Sequence, residues 1–393
     1  MKGSFRIILM FVFDLMHALV HAFSELKLSE SFYFNSSKRF RGLNKIHFLL
    51  ITFLLVSDIS FAQGQTFTWM NGSDTANKSG SYGVKGISNL ANHPGGRSSS
   101  ASWVDANNNL WLFGGVGYDK NGNYGYLKDL WKYDISAAQW TWMGGSRLSG
   151  WNGSNIDSIK GNYGVKGEST SSNYPGARIG SNSWTDKSGN LWLFGGEGYD
   201  KNNLSRILND LWKYNIASGQ WTWMGGRDLT VSILSGVTFN AVVGVYGTKG
   251  VMDPSNVPGP RNGAVSWQDL NGDLWLFGGH GVGRIISSTF LTGALNDLWK
   301  FENSSNQWTW MGGSDTIYSS GVFGVKGIAD GLNIPGGRDR PVSWLDSVGN
   351  FWLYGGISKS DLWKYETKMG VWTWIAGQNF YEQSSIYGTL NVV

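Results

Sequence analysis

One residue pattern is written four times along this chain, and that repetition limits the fold more than any single residue does. Each copy runs Pro-Gly-x-Arg, Ser-Trp, Leu-Trp-Leu-Phe-Gly-Gly, Asp-Leu-Trp-Lys-Tyr and Trp-Thr-Trp-Met, with small variations such as Phe-Trp-Leu-Tyr-Gly-Gly in the last. The second-run tryptophans Trp111, Trp192, Trp275 and Trp352 are 81, 83 and 77 residues apart. A fixed internal period means one supersecondary unit stacked on itself. Whatever recurs in every copy is then expected to be structural, and function is sought where the copies differ.

Composition supports that division. Of 22 tryptophans, all but Trp151 lie inside the repeated motifs, which marks them as packing residues. There is no cysteine, so disulfides, thiolate metal sites and cysteine nucleophiles are excluded. The net charge of +4 comes mostly from the first 62 residues, with seven Lys/Arg against four acids. The remainder carries 25 against 24. A neutral repeat region gives no reason to expect nucleic acid as a partner.

Residues 1–62 read as a leader. Lys38, Arg39, Arg41 and Lys45 form a basic segment, His47–Val56 an apolar run of ten, and Ser60-Phe61-Ala62 a small-x-small cleavage site. The run is too short to span a bilayer comfortably. Cleavage is expected near Ala62, with the mature part exported and not membrane-spanning. The apolar stretch Phe5–Phe23 is interrupted by Asp14, His17 and His21, and translation is expected to start near Leu43.

Within a copy, short aromatic runs flank Asp/Gly/Asn turns, for example Asp186–Asn190 and Asp346–Asn350. This is the signature of antiparallel hairpins. Leu-Trp-Leu-Phe is apolar on both faces, as suits a strand between two neighbouring sheets. Four such strands per copy, with both faces buried, predict an all-β propeller.

The motifs resemble kelch repeats, the blades of galactose-oxidase-type propellers. The residues that carry the resemblance are Gly-Gly doublets that end the second strand, each with a later tryptophan. They are Gly114 and Gly115 with Trp140, Gly195 and Gly196 with Trp221, Gly278 and Gly279 with Trp308, and Gly355 and Gly356 with Trp372. The resemblance covers residues 66 to about 377, and implies blades at about 94–146, 175–227, 258–314 and 335–377. Kelch units run near 50 residues, whereas these run about 80. The excess contains a recurring Tyr-Gly-x-Lys-Gly (Tyr82–Gly86, Tyr163–Gly167, Tyr246–Gly250, with Phe323–Gly327 in the fourth), as in long-spaced bacterial exported arrays.

Thr66–Met70 reads as a fourth strand without partners, and 387–393 as the start of a fifth repeat. The expectation is four complete blades plus an orphan N-terminal strand, either a truncated array or one closed by strand addition from another molecule, with a native four-bladed ring as the alternative.

The strand 2–3 and 4–1 connections are long and emerge on one face, so ligand binding is expected there. The candidates are Tyr118, Tyr124, Tyr126, Trp151, Tyr199 and His280, as exposed aromatic or polar groups suited to carbohydrate or protein. Resemblance to galactose oxidase would imply copper held by two Tyr and two His, with one Tyr cross-linked to Cys. Without Cys, and with only His93 and His280 in the repeats, that centre is not expected. Arg97, Arg178, Arg261 and Arg338 could grip a carboxylate in a sialidase- or epimerase-like site. Because they recur, each is expected instead to pair with Asp129, Asp210, Asp297 or Asp361 and fix blade to blade.

Asp119, Asn121 and Asn123 have the alternation of a calcium loop but no twelfth-position Glu, and read as a polar turn, as does Asp200-Lys-Asn202. No catalytic residue, metal or cofactor is assigned. The preferred reading is a non-catalytic propeller that binds carbohydrate or protein. A glycan-processing enzyme and a structural or adhesive surface array are the alternatives. An enzyme requires copy-specific polar residues converging near the axis, whereas a pure scaffold repeats its residues there.

Overall fold

The four aromatic runs of each copy become the four strands of an antiparallel sheet. A computed structural model of the chain describes residues 68–150, 159–228, 242–284 and 292–379. The leader, Trp151 and the 387–393 segment lie outside these residues. Those from Trp69 onward belong to one unit. In module 1 the strands are Ala101–Val104, Leu110–Phe113, Leu130–Asp134 and Gln139–Gly144, hydrogen-bonded in that order. Module 2 has Asn182–Thr185, Leu191–Tyr199, Ser205–Asn215 and Gln220–Gly225. Module 3 has Val265–Gln268, Leu274–Phe277, Leu298–Glu302 and Gln307–Gly312, and module 4 has Val342–Leu345, Phe351–Tyr354, Leu362–Glu366 and Val371–Ala376. Each third strand carries a bulge at its Leu-Trp step, such as Leu130/Trp131 and Leu211/Trp212. Such an insertion re-aims the side chains beside it.

Copy 2 departs from the expected strand ends. Gly195 and Gly196 do not terminate its second strand but lie inside Leu191–Tyr199, where the pairing with the third strand shifts register between Phe194 and Gly196. The reason is that Gly196, Glu197, Gly198 and Tyr199 go on pairing, opposite Leu208, Ile207, Arg206 and Ser205. The doublet is a bulge there, and a strand end in the other three copies.

The sheets pack face to face in chain order, in the manner of a β-propeller. One apolar cluster joins Trp103, Trp111 and Phe113 of module 1 to Leu191, Leu193 and Trp221 of module 2. A second joins Trp184, Trp192 and Phe194 to Leu274, Leu276 and Trp308, and a third joins Trp267, Trp275 and Phe277 to Phe351, Leu353 and Trp372. The recurring tryptophans Trp221, Trp308 and Trp372 are thus junction residues. The first strands are innermost: Ser183 Oγ donates to the Ser102 carbonyl at 2.9 Å and Thr185 Oγ1 to that of Val104 at 2.9 Å. Together they line a central cleft of about 380 Å³.

The extra residues of each long repeat lie in the 4–1 connection, as expected, but not all of them go to the loop face. Part of the 4–1 connection runs along the outer edge of the module that follows it. Ser169–Thr170 pairs with Trp221 and Thr222, Met252–Asp253 with Thr309 and Trp308, and Ala329–Asp330 with Thr373 and Trp372. In module 1 the same role falls to a bridge between Asn89 and Trp140. Buried Asn92, Asn256 and Asn333 reinforce it by donating Nδ2 to the Trp140, Trp308 and Trp372 carbonyls. An edge strand otherwise offers unpaired N–H and C=O groups to any passing chain, and the insert occupies part of them. The rest of the described 4–1 residues join the 2–3 connections on the loop face, as in the bridge between Tyr126 and Gly150.

Thr68–Met70 forms no strand. Trp69 and Met70 are 66% and 60% exposed, so the expected N-terminal strand is not seen pairing with any module. No helix among the described residues is long and apolar enough to cross a membrane.

Candidate functional site

The site is built from the Gly-Gly doublets outward. Gly114 and Gly115 have φ of +65° and +94°, and a Cβ on Gly115 would lie 2.4 Å from Ser100 Oγ and 2.6 Å from the Ser98 carbonyl. Only glycine meets both demands. Gly196 keeps the same backbone, with φ of +94° and a Cβ position 2.3 Å from Ser181 Oγ, although its strand runs on. In module 1 the doublet ends the blade strand, and the chain continues into a second, upper tier. There Arg97–Ser98 pairs with Val116–Tyr118, which pairs with Tyr124–Tyr126. Module 3 repeats this with Arg261–Asn262, His280–Gly281 and Gly293–Ala294. In module 2 the tier is the far half of the two long strands, Arg178 and Ile179 lying opposite Gly198 and Glu197.

The arginines hold tier to sheet. Arg178 donates to Asp210 Oδ1 and Oδ2 at 2.7 Å each, and to the Gly176 and Gly195 carbonyls at 3.0 Å. Arg97–Asp129, Arg261–Asp297 and Arg338–Asp361 repeat the fork. Each carboxylate also accepts an indole N–H two residues on, Trp212 Nε1 to Asp210 at 2.8 Å. In copies 1–3 a tyrosine hydroxyl adds a fourth donor, from Tyr82, Tyr163 and Tyr246. Burial first, and then the adjacent carboxylate, push these phenols far up, so they stay protonated and donate. With these forks filled, none of the four recurring guanidiniums is left for a ligand carboxylate. The expected pairing partners are right, but each pair lies within one copy and does not cross between blades. At this level the copies are linked by backbone instead: Gly115 N–H donates to the Arg178 carbonyl and Gly279 N–H to that of Arg338, both at 2.9 Å.

Two residues beyond each arginine sits a left-handed residue: Ser99, Gly180, Gly263 and Arg340, with φ between +52° and +62°. Gly180 N–H donates to Ser99, Gly263 to Gly180 and Arg340 to Gly263, a three-step ladder at the loop-side end of the innermost strands. Between arginine and ladder residue lies a position that differs in every copy: Ser98, Ile179, Asn262 and Asp339. Its partner just after Gly-Gly also differs: Val116, Glu197, His280 and Ile357.

Four of these variable positions, Glu197, Asn262, His280 and Asp339, adjoin one another at the loop-side end of the innermost strands, the mouth of the cleft. Glu197 Oε1 accepts from Tyr126 Oη at 3.2 Å, and Oε2 from Asn262 Nδ2 at 3.4 Å. Asp339 of module 4 reaches over module 3, where a Cβ on Gly263 would come within 2.1 Å of its Oδ1. That Oδ1 is buried with no hydrogen-bond partner, and Oδ2 lies 3.7 Å from Arg340 Nε. Burial raises the Asp339 carboxyl above the usual aspartate range, opposed by the charges of Arg340 and His280.

Of the residues chosen from sequence, Tyr126 and His280 belong to this mouth. Tyr126 and Tyr199 are not exposed faces: their rings meet edge to face at 5.5 Å in a small cluster with Ile159 and Ala177, sealing the upper tiers of modules 1 and 2. Tyr124 is exposed, and Tyr118 is half-buried against it at 5.2 Å. Trp151 is outside the described residues. Asp119 Oδ1 is filled by the Asn121 and Asn123 N–H groups and Oδ2 accepts from Ser149 N–H, the wiring of a polar turn. Asp200 likewise accepts from Asn202 N–H. Among the described residues no group of three His, Asp or Glu side chains is arranged to hold a metal. Glu197, Asn262, Asp339 and Arg340 were missed from sequence. Their signal was divergence immediately beside invariant Arg and Gly-Gly positions.

No protein-family model matches the chain, and no curated protein matches it. Among solved structures, that of YjhT is similar at a TM-score of 0.40 with 15% identity. The match covers 75% of this chain and 68% of that one.

Proposed function

We propose that the chain is an exported kelch-type β-propeller array of four blades that binds carbohydrate at the loop-side mouth of its central cleft. The observation that carries this reading is the divergence of Ser98/Ile179/Asn262/Asp339 and Val116/Glu197/His280/Ile357 within an otherwise repeated frame. Repetition explains a scaffold, and a scaffold alone gives no reason to place Glu197, Asn262, His280 and Asp339 at these two paired positions of different copies. Side-chain carboxylate, amide, imidazole and phenol groups in one place supply the mixed donors and acceptors that sugar hydroxyls need. An unpartnered buried Asp339 Oδ1 is an acceptor waiting for a donor.

The test is a glycan array followed by calorimetry on the secreted chain, with Glu197→Gln and Asp339→Asn as variants and Lys326→Ala, on the outer rim, as control. Binding lost in the first two and kept in the control supports the site. Binding unchanged in both variants refutes it, and binding only to protein partners would move the reading to protein recognition. A second reading, glycan processing, is favoured by Asp339 alone. A carboxyl with a raised pKa can serve as a general acid, and turnover of a bound glycan that is abolished by Asp339→Asn would establish it. The leader is proposed to be removed after Ala62, which N-terminal sequencing of the exported protein checks.

A further inference from the structure

Each internal junction uses the same two faces. The leading face offers Trp103, Trp184 or Trp267 from the first strand and Phe113, Phe194 or Phe277 from the second, none of them more than 4% exposed. The receiving face offers the paired residues Leu191/Leu193, Leu274/Leu276 or Phe351/Leu353, all 0% exposed. Polar links accompany the apolar ones. Trp103 Nε1 donates across the junction to the Trp192 carbonyl at 2.9 Å, and Trp184 Nε1 to that of Trp275 at 3.1 Å.

Among the described residues, one leading face and one receiving face are left unmatched. On module 4, Trp344 is 43% exposed, Val342 61% and Tyr354 46%, although their equivalents in the other modules are buried. The Gly356 N–H, equivalent to the donors Gly115 and Gly279, has no acceptor among the described residues. On module 1, Leu110 is 39% exposed and Leu112 and Trp140 are half-buried, where the other copies bury the same positions. The ladder likewise stops at three steps, and the Ser99 N–H has no backbone acceptor among the described residues.

We propose that the module 4 face of one chain docks on the module 1 face of a second copy, head to tail. The partner is specified by the chain's own junctions: the complement of a leading face is a receiving face with Leu-Trp-Leu at its centre, and module 1 carries the unmatched one. By the same equivalence, Trp344 Nε1 donates to the Trp111 carbonyl of the second copy and Gly356 N–H to its Arg97 carbonyl. A heterologous contact of this kind closes into a ring when the rotation permits. Two copies place eight sheets around one axis, within the known range of about four to eight blades. This is sheet-face docking and involves no exchange of strands.

The experiment is sedimentation equilibrium on the full chain and on Trp344→Glu and Leu110→Glu. Both residues are exposed in the single chain, so both variants should keep the near-ultraviolet circular dichroism of the wild type. The wild type is expected at twice its own monomer mass. Each variant is expected to associate about 100-fold more weakly or less, because an unpaired carboxylate would be trapped in an apolar junction. Mixing the two variants is the decisive arm. Each retains one intact face, so a head-to-tail contact restores a one-to-one complex through the Leu110→Glu chain's module 4 and the Trp344→Glu chain's module 1. A monomeric wild type, variants that associate as the wild type does, or a mixture that stays monomeric would each overturn the proposal.

Discussion

Arg178→Met tests whether the guanidinium forks hold tier to sheet. Arg178 is buried with a side-chain exposure of 1%, and Asp210 with 0%. The substitution keeps most of the aliphatic stem and removes four hydrogen bonds: two to Asp210 and one each to the Gly176 and Gly195 carbonyls. Asp210 would keep only the Tyr163 and Trp212 donors. Stranding a buried carboxylate in this way costs about 3–5 kcal/mol, more than the loss of neutral hydrogen bonds alone. Urea unfolding followed by tryptophan fluorescence reads it, because Trp212 and Trp221 lie in the same packed cluster. Arg178→Met/Asp210→Leu, with neither charge, should recover a large part of the loss. A loss under about 1 kcal/mol in the single variant, or no recovery in the double, would refute the idea that pairing of a buried charge is what matters.

The fourth copy supplies a natural contrast, since Phe323 stands where copies 1–3 have tyrosine. Tyr163→Phe should cost about 1.5–3 kcal/mol in the same urea assay, because the hydroxyl bonds a charged group, while Phe323→Tyr should stabilise; a gain from Tyr163→Phe would contradict the fourth-donor assignment. Gly115→Ala should lower stability by about 2 kcal/mol or more, from a left-handed backbone and the contact with Ser98 and Ser100, and a thermal melt unchanged from wild type would be incompatible with that close approach. Acid should destabilise the array through Asp346 and Asp361. Burial pushes Asp346 up but is outweighed by the Trp352 indole and the Asn350 and Val348 amides, which bring it down to about 2. At Asp361, burial is outweighed by Arg338 and Trp363. Both folded values lie below the unfolded one of about 3.9, so their stabilisation is complete above that pH and is lost as pH falls through the folded values. A urea midpoint that stays constant from pH 5 to below 3, taken as roughly the span these groups titrate over, would contradict the assignment.

The sheets were readable because each strand is spelled four times in aromatic residues bounded by Asp/Gly turns, and packing between neighbouring sheets demands apolar residues on both faces. The Arg–Asp pairs were readable as pairs because both members recur, but not their placement within one copy, which depends on how the Gly-Gly doublet turns the chain into a tier over its own sheet. The doublet itself reads alike in every copy. Whether it ends a strand, as at Gly115, or only bulges one, as at Gly196, is decided by how far the residues after it go on pairing. The edge inserts escaped notice because a two-residue pairing such as Ser169–Thr170 has no periodicity of its own. Tyr126 and Tyr199 misled because loop tyrosines look exposed until two tiers close over them. The mouth residues were hidden for the opposite reason. Glu197 and Asp339 carry no motif, and their meaning appears only when four copies are aligned on the arginine and the glycine doublet and the unmatched column is read across.

The outer-edge inserts bear on how such a chain can change over generations. Each repeat covers the rim of the sheet that follows it with its own residues, so duplicating or deleting one unit of about 80 residues carries strand and cover together. A change in copy number therefore leaves each sheet with its own partial edge cover. Substitution at the loop-side positions, two per copy, can then act on an array whose length is itself heritable.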